Sequence, residues 1–145
     1  MTTFEVLSVN ISAEKGVPKR PVERIELREC VGVVGDAHAG NWHRQVSLLA
    51  SEDIAAMNQK DAHISYGDFA ENITTRGIDL GSLPIGAQLK IGDALLEITQ
   101  IGKECHKGCA IMRQIGDCIM PRRGAFAKVS KGGIITNESI GMHGF

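Results

Sequence analysis

Aromatic residues are scarce in this chain: four Phe, one Tyr and one Trp, or 4% of 145 residues. So few rings suit base stacking on single-stranded nucleic acid poorly. Neither sign of charge is in excess, with 16 Lys and Arg against 17 Asp and Glu and a formal net charge of -1. That balance excludes a nucleic-acid protein led by a basic face, and equally an acidic disordered chain. No segment approaches the roughly 18 consecutive apolar residues that span a bilayer. The opening, MTTFEVLSVNISAEKG, has no charged start followed by a long apolar run. No secretory signal is expected there, and the expected location is cytoplasmic. Cysteine is limited to Cys30, Cys105, Cys109 and Cys118, which in that compartment are expected as thiols rather than a disulfide framework.

What the chain does have is apolar patterning and glycine. Hydrophobic residues make up 43%, enough for the core of one domain, residues 1–145, without staples. The 17 glycines suit short strands joined by tight turns. Phe4 to Ser12 alternates as a strand, and Val22 to Leu27 (VERIEL) alternates again and is expected to pair antiparallel with it. Val31 to Gly40 reads as a loop. Val46 to Ala50 is a short apolar strand, and Ser51 with Glu52 and Asp53 opens a helix running to Lys60 and burying Ile54 and Met57. Gly67 to Asn72 is a second loop or short helix, followed by a strand from Ile73. Two alternating runs flank Gly92-Asp93 between Ile85 and Gln100, the clearest hairpin. A helix is expected over Lys107 to Ile115. A second hairpin is expected from Ala125–Ser130 and Ile134–Thr136 around Lys131-Gly132-Gly133. Many short strands with two or three short helices predict a mainly β chain forming a closed, mostly antiparallel barrel.

Three groups of residues carry candidate chemistry. Cys105 has Lys103, His106 and Lys107 beside it. A thiolate there is a soft metal ligand and a nucleophile able to hold sulfane sulfur, while the plain alternative is an inert, half-buried cysteine. Cys109 follows in C-H-K-G-C spacing, open to a sulfur-relay thiol, a zinc site with His106 and Cys118, or a structural role. Asp36, His38, His43 and Arg44 share one Gly-rich loop, in which Arg44 and His43 are placed to clamp a phosphate oxygen unless the loop is simply solvated. Arg113, Arg122, Arg123 and Lys128 form a late basic cluster, either a phosphate rim or an exposed turn. No glycine pattern matches a P-loop or dinucleotide fingerprint.

The blocks GDFAENITTRGIDL (Gly67 to Leu80), LPIGAQLKIGDALLEITQIGKEC (Leu83 to Cys105) and VGVVGDAHAGNWHRQVSLLA (Val31 to Ala50) together resemble the MOSC family, in its free-standing bacterial form. The resemblance implies a β-barrel whose cleft holds the molybdenum cofactor (molybdopterin), with Cys105 as molybdenum ligand or persulfide carrier and Cys109 as a second thiol. It also implies cofactor contacts from Asp36, His43, Arg44, Glu71, Asn72 and Arg123. A cysteine desulfurase or a molybdoenzyme is the implied partner. Any sulfurtransferase-like activity would depend on that partner, because pyridoxal phosphate is not expected on this domain. Two positions differ from the family's usual residues: Ala70 stands where Gly is common, and Glu104 where Pro is common. The rival readings are a small zinc-binding module on Cys105, Cys109 and Cys118, and a non-catalytic docking domain.

Overall fold

The computed structural model describes residues 2–58, 64–102 and 123–144. Eleven strands and one α-helix occupy these residues: β1 (Thr2–Ile11), β2 (Arg20–Val22), β3 (Arg24–Arg28), β4 (Gly32–Val33), β5 (Val46–Ala50), α1 (Ser51–Asn58), β6 (Ile73–Arg76), β7 (Gln88–Ile91), β8 (Ala94–Ile101), β9 (Ala125–Lys131), β10 (Gly133–Thr136) and β11 (Ile140–His143). A 3-10 turn covers Leu80–Ser82. The helix expected over Lys107 to Ile115 lies outside the described residues.

Seven strands close on themselves in the order β1-β11-β7-β8-β9-β5-β6, with β2 added beside β1. Closure comes from the pairing of Thr2–Glu5 with Ile140–His143. Every ladder in the ring is antiparallel except β5–β6, and the connection across that parallel joint contains α1. This is the expected fold class, a mainly β, closed and mostly antiparallel barrel. Side chains alternate about the wall. Phe4, Val6 and Val9 of β1, Val46 and Leu48 of β5, Leu96 and Ile98 of β8, and Ala125, Ala127 and Val129 of β9 turn into one core. The consecutive apolar pair Val6-Leu7 marks a bulge: Val6 pairs with Thr75, and the register slips before Ser8 meets Thr74. The extra residue re-phases the strand, so that Ser8 and Asn10 share the other face from Val9.

Two sequence expectations are corrected. Only Val22 of VERIEL lies on the strand that pairs with β1. Arg24–Arg28 instead pairs with β10 and β4 in a separate three-stranded sheet. Nor do β9 and β10 form a hairpin, since β9 pairs with β8 and β5. At Gly132 and Gly133 the chain passes too close to Leu27 and Ala94 to admit a side chain. The second sheet adds Ile25, Leu27, Val33 and Ile135 to the same core.

Candidate functional site

The loop between β4 and β5 is built around a buried ion pair. Lys19 and Asp36 have no exposed side-chain surface, and Lys19 Nζ lies 2.9 Å from Asp36 Oδ1 and 3.1 Å from Oδ2. The Ser12 and His38 amides donate to the same carboxylate, each at 3.1 Å. Burial alone would raise the Asp36 carboxyl, but hydrogen bonding to His38 and Lys19 and the lysine's charge outweigh it. The group is held well below the usual carboxylate range. Lys19 Nζ also lies 3.0 Å from His38 Nδ1.

From His38 the loop folds over the strand that leads toward Cys105. Trp42 Nε1 donates to the His38 carbonyl at 2.8 Å, and the two rings stack with centroids 6.5 Å apart. His43 Nε2 and Gln100 Oε1 are 2.9 Å apart. The Gln100 amide nitrogen donates to the Gly102 carbonyl at 2.7 Å, so His43 is the donor to Gln100. The Thr99 hydroxyl donates to the His43 carbonyl. The Arg44 guanidinium lies between rings, 4.8 Å from the centre of Trp42 and 5.7 Å from that of Phe126. Its Nε is buried and has no acceptor among the described residues. Gly102 N donates to Gly124 O at 2.7 Å, so the chain on either side of residues 103–122 meets at this same place.

Glu71 and Asn72 are fully buried. Asn72 Oδ1 accepts from the Ser47 amide and hydroxyl at 3.0 and 3.1 Å, and its Nδ2 donates to the Asn10 carbonyl at 3.2 Å. These bonds tie β1, β5 and the start of β6 together. Glu71 Oε2 accepts from Gly67 N and the Thr74 hydroxyl, both at 2.9 Å, while Oε1 has no partner among the described residues. Burial pushes this carboxyl up to about 7, against the lowering effect of the Gly67 amide and its other hydrogen bonds. Ala70 has φ +64°, a left-handed backbone that accounts for Gly being common at this position in the resembling family.

The predicted site residues therefore separate. His43 and Arg44 sit on the loop packed against Gln100. Asp36, Glu71 and Asn72 are enclosed, their side chains held by other parts of the chain. Arg123 is joined to Asp53 of α1 at 3.3 Å and to Asp79, and its guanidinium lies over Gly81. Cys105, Cys109 and Cys118 lie outside the described residues, as do Arg113 and Arg122. Among the described residues no group of three His, Cys, Asp or Glu is placed to hold a metal. Nor is any helix there long and apolar enough to cross a membrane. A cavity of about 370 Å³ between α1 and Ile64–Tyr66 contains none of the predicted site residues. Sequence reasoning missed Lys19, Trp42, Gln100 and Ser47. Only Trp42, the single tryptophan inside the Gly-rich loop, carried a signal that could have found it.

The described residues form a closed seven-strand barrel with a Gly-Asp loop laid over β8. The sequence pattern of the MOSC domain matches residues 35–138, and the chain belongs to the MOSC domain family. Among solved structures it is similar to the YuaD protein from Bacillus subtilis, at 19% identity and a TM-score of 0.82, over 99% of this chain and 97% of that one. It is also similar to YiiM from Geobacillus stearothermophilus, at 18% identity and a TM-score of 0.74, over 98% of this chain and 75% of that one. YiiM from Escherichia coli, at 16% identity, gives a TM-score of 0.73 over 100% of this chain and 71% of that one. At these identities the likeness is one of fold. No curated protein matches the chain.

Proposed function

We propose that this domain binds the molybdenum cofactor or carries persulfide sulfur, with Cys105 as its working thiol and Cys109 as a second thiol able to relay sulfur. The observation that carries this reading is the fastening of the His43–Arg44 loop to Thr99 and Gln100, the Gln100 amide in turn holding the Gly102 carbonyl. Cys105 follows Gly102 by three residues, and a chain that short spans at most about 11 Å. The donor set suits the cofactor's phosphate: Arg44 Nε is a buried donor with no acceptor among the described residues, and guanidinium favours phosphate oxygens. Arg44 and His43 would hold the anionic end. Asp36, Glu71 and Asn72 would serve from beneath as a fixed frame. Arg123, already balanced by two carboxylates, would contribute at the margin. Bound molybdenum would supply an oxidisable centre with affinity for soft sulfur, and Cys105 is the ligand of matching softness.

A sulfur-carrier role requires a donor, so a cysteine desulfurase or a molybdoenzyme is the proposed partner, in the cytoplasm. Mass spectrometry of freshly purified protein tests the reading, with labelled-sulfur transfer from a desulfurase. Persulfide on Cys105 or co-purifying cofactor is expected, and Cys105→Ser should abolish it at unchanged melting temperature. Equal loading of wild type and Cys105→Ser refutes the assignment. One zinc per chain retained after reducing dialysis would favour the structural-module reading instead.

A further inference from the structure

Lys19 and Asp36 are enclosed and cannot touch a ligand, yet they determine what His38 offers one. An ammonium nitrogen carries donors and no acceptor. Lys19 Nζ lies 3.0 Å from His38 Nδ1, so Nδ1 is the bare, accepting nitrogen of the ring. The same nitrogen stands 3.7 Å from Asp36 Oδ2, so the Lys19 ammonium is its nearer partner. The ring proton of the neutral imidazole therefore resides on Nε2. That atom has no hydrogen-bond partner among the described residues, on a side chain with 25% of its surface exposed. Asp36 holds the ammonium through both oxygens, at 2.9 and 3.1 Å. Two backbone amides orient that carboxylate in turn.

We infer that Asp36 and Lys19 are positioning residues that fix His38 as an Nε2–H donor, and that His38 gives this donor to an anionic oxygen of the phosphate class bound beside Trp42. The choice of an anion rests in part on the function proposed above. It also has local grounds. Arg44 and Lys15 lie 4.8 and 5.8 Å from the Trp42 ring centre, His38 stacks on that ring, and the charge of Asp36 is cancelled by Lys19. The loop thus presents cations and a fixed neutral donor around one aromatic surface. A tautomer locked by a buried ion pair keeps the donor direction constant, so no ring flip is needed when the anion arrives.

Trp42 is the only tryptophan in the chain, so its fluorescence reads this place directly. Titrating the full-length protein with inorganic phosphate at constant ionic strength should give a saturable change. His38→Phe keeps a ring against Trp42 but has no donor, and should weaken binding by about tenfold or more. His38→Gln restores an amide N–H and should recover most of that loss. Equal affinity in wild type and His38→Phe, or no saturable response in wild type, overturns the proposal. A second measurement needs no variant: long-range proton–nitrogen correlation spectra of labelled wild type should place the His38 proton on Nε2, and a proton on Nδ1 overturns the positioning role. Lys19→Met should leave the two tautomers mixed. Repeating the phosphate titration on Cys105→Ser separates this claim from the sulfur-carrier reading. Phosphate binding that persists there, with no persulfide found in wild type, removes the carrier role and leaves the His38 site standing.

Discussion

Replacing Glu71 with Gln should change how stability depends on pH more than it changes stability at any one pH. Glu71 is fully buried, and its carboxyl is raised from 4.5 to about 7. For a raised folded-state value, the favourable contribution is complete below the unfolded value and disappears as pH rises through the folded one. Between those limits the native state keeps a proton that the unfolded chain has released. Integrated from about pH 5 to pH 8, the linkage removes roughly 2–3 kcal/mol from wild-type stability. Glutamine fills the same space without charge, so its cost is constant across that window: an amide N–H group placed where Oε1 now has no partner, about 1–3 kcal/mol. Urea unfolding of both proteins at several pH values gives the difference directly. The variant should be the weaker protein near pH 5 and should close or reverse the gap by pH 8. Asp36 does not interfere, because its lowered carboxyl adds stability that is complete above its unfolded value of 3.8 and is lost only as pH falls below it. A wild-type-minus-variant difference that stays flat from pH 5 to pH 8 would refute the reasoning.

Asp36→Asn strands the Lys19 ammonium in the interior and should cost about 3–5 kcal/mol, read as a fall in urea midpoint at unchanged slope. Gly67→Ala puts a methyl 2.2 Å from the Lys19 carbonyl at φ +91°. It should destabilise by about 3 kcal/mol or more, and a melting temperature within 2 °C of wild type would contradict the close approach. Cys30 is exposed on a left-handed turn. Cys30→Ser should therefore leave stability within about 0.5 kcal/mol, and Cys30 should react with a thiol reagent in the native protein.

The barrel's parts were legible in the sequence more readily than its assembly. Strict alternation located β7, β8 and the Gly92 turn, whose φ of +58° favours the residue found there. Val46–Ala50 and the start of α1 followed from an apolar run and the acidic first turn after it. Alternation reports which face a strand buries and says nothing about which strand it meets. For that reason Arg24–Arg28 and Gly133–Thr136 were found as strands but given the wrong neighbours. The site shows the same division. Asp36, His43 and Arg44 were visible because polar residues clustered in a Gly-rich loop. The enclosure of Asp36 depends on Lys19, 17 positions earlier, and a lysine after Pro18 has no local mark of burial. Ser47 and Asn10 were likewise hidden, since their partner Asn72 lies 25 and 62 residues away.

The ring's last joint unites Thr2–Glu5 with Ile140–His143, and this bears on biosynthesis. A ribosome delivers β1 first, yet one edge of β1 must wait for nearly the whole domain to be translated. Until then a row of unpaired amides and carbonyls on β1 is open to neighbouring nascent chains. A long-range seam of this kind also makes folding slow relative to chains with local contacts. Fusing the two ends and opening the ring at the Gly92 turn would reverse the order of delivery while preserving every ladder. The permuted chain would show whether the timing of β1's pairing, rather than final stability, limits the yield of folded protein.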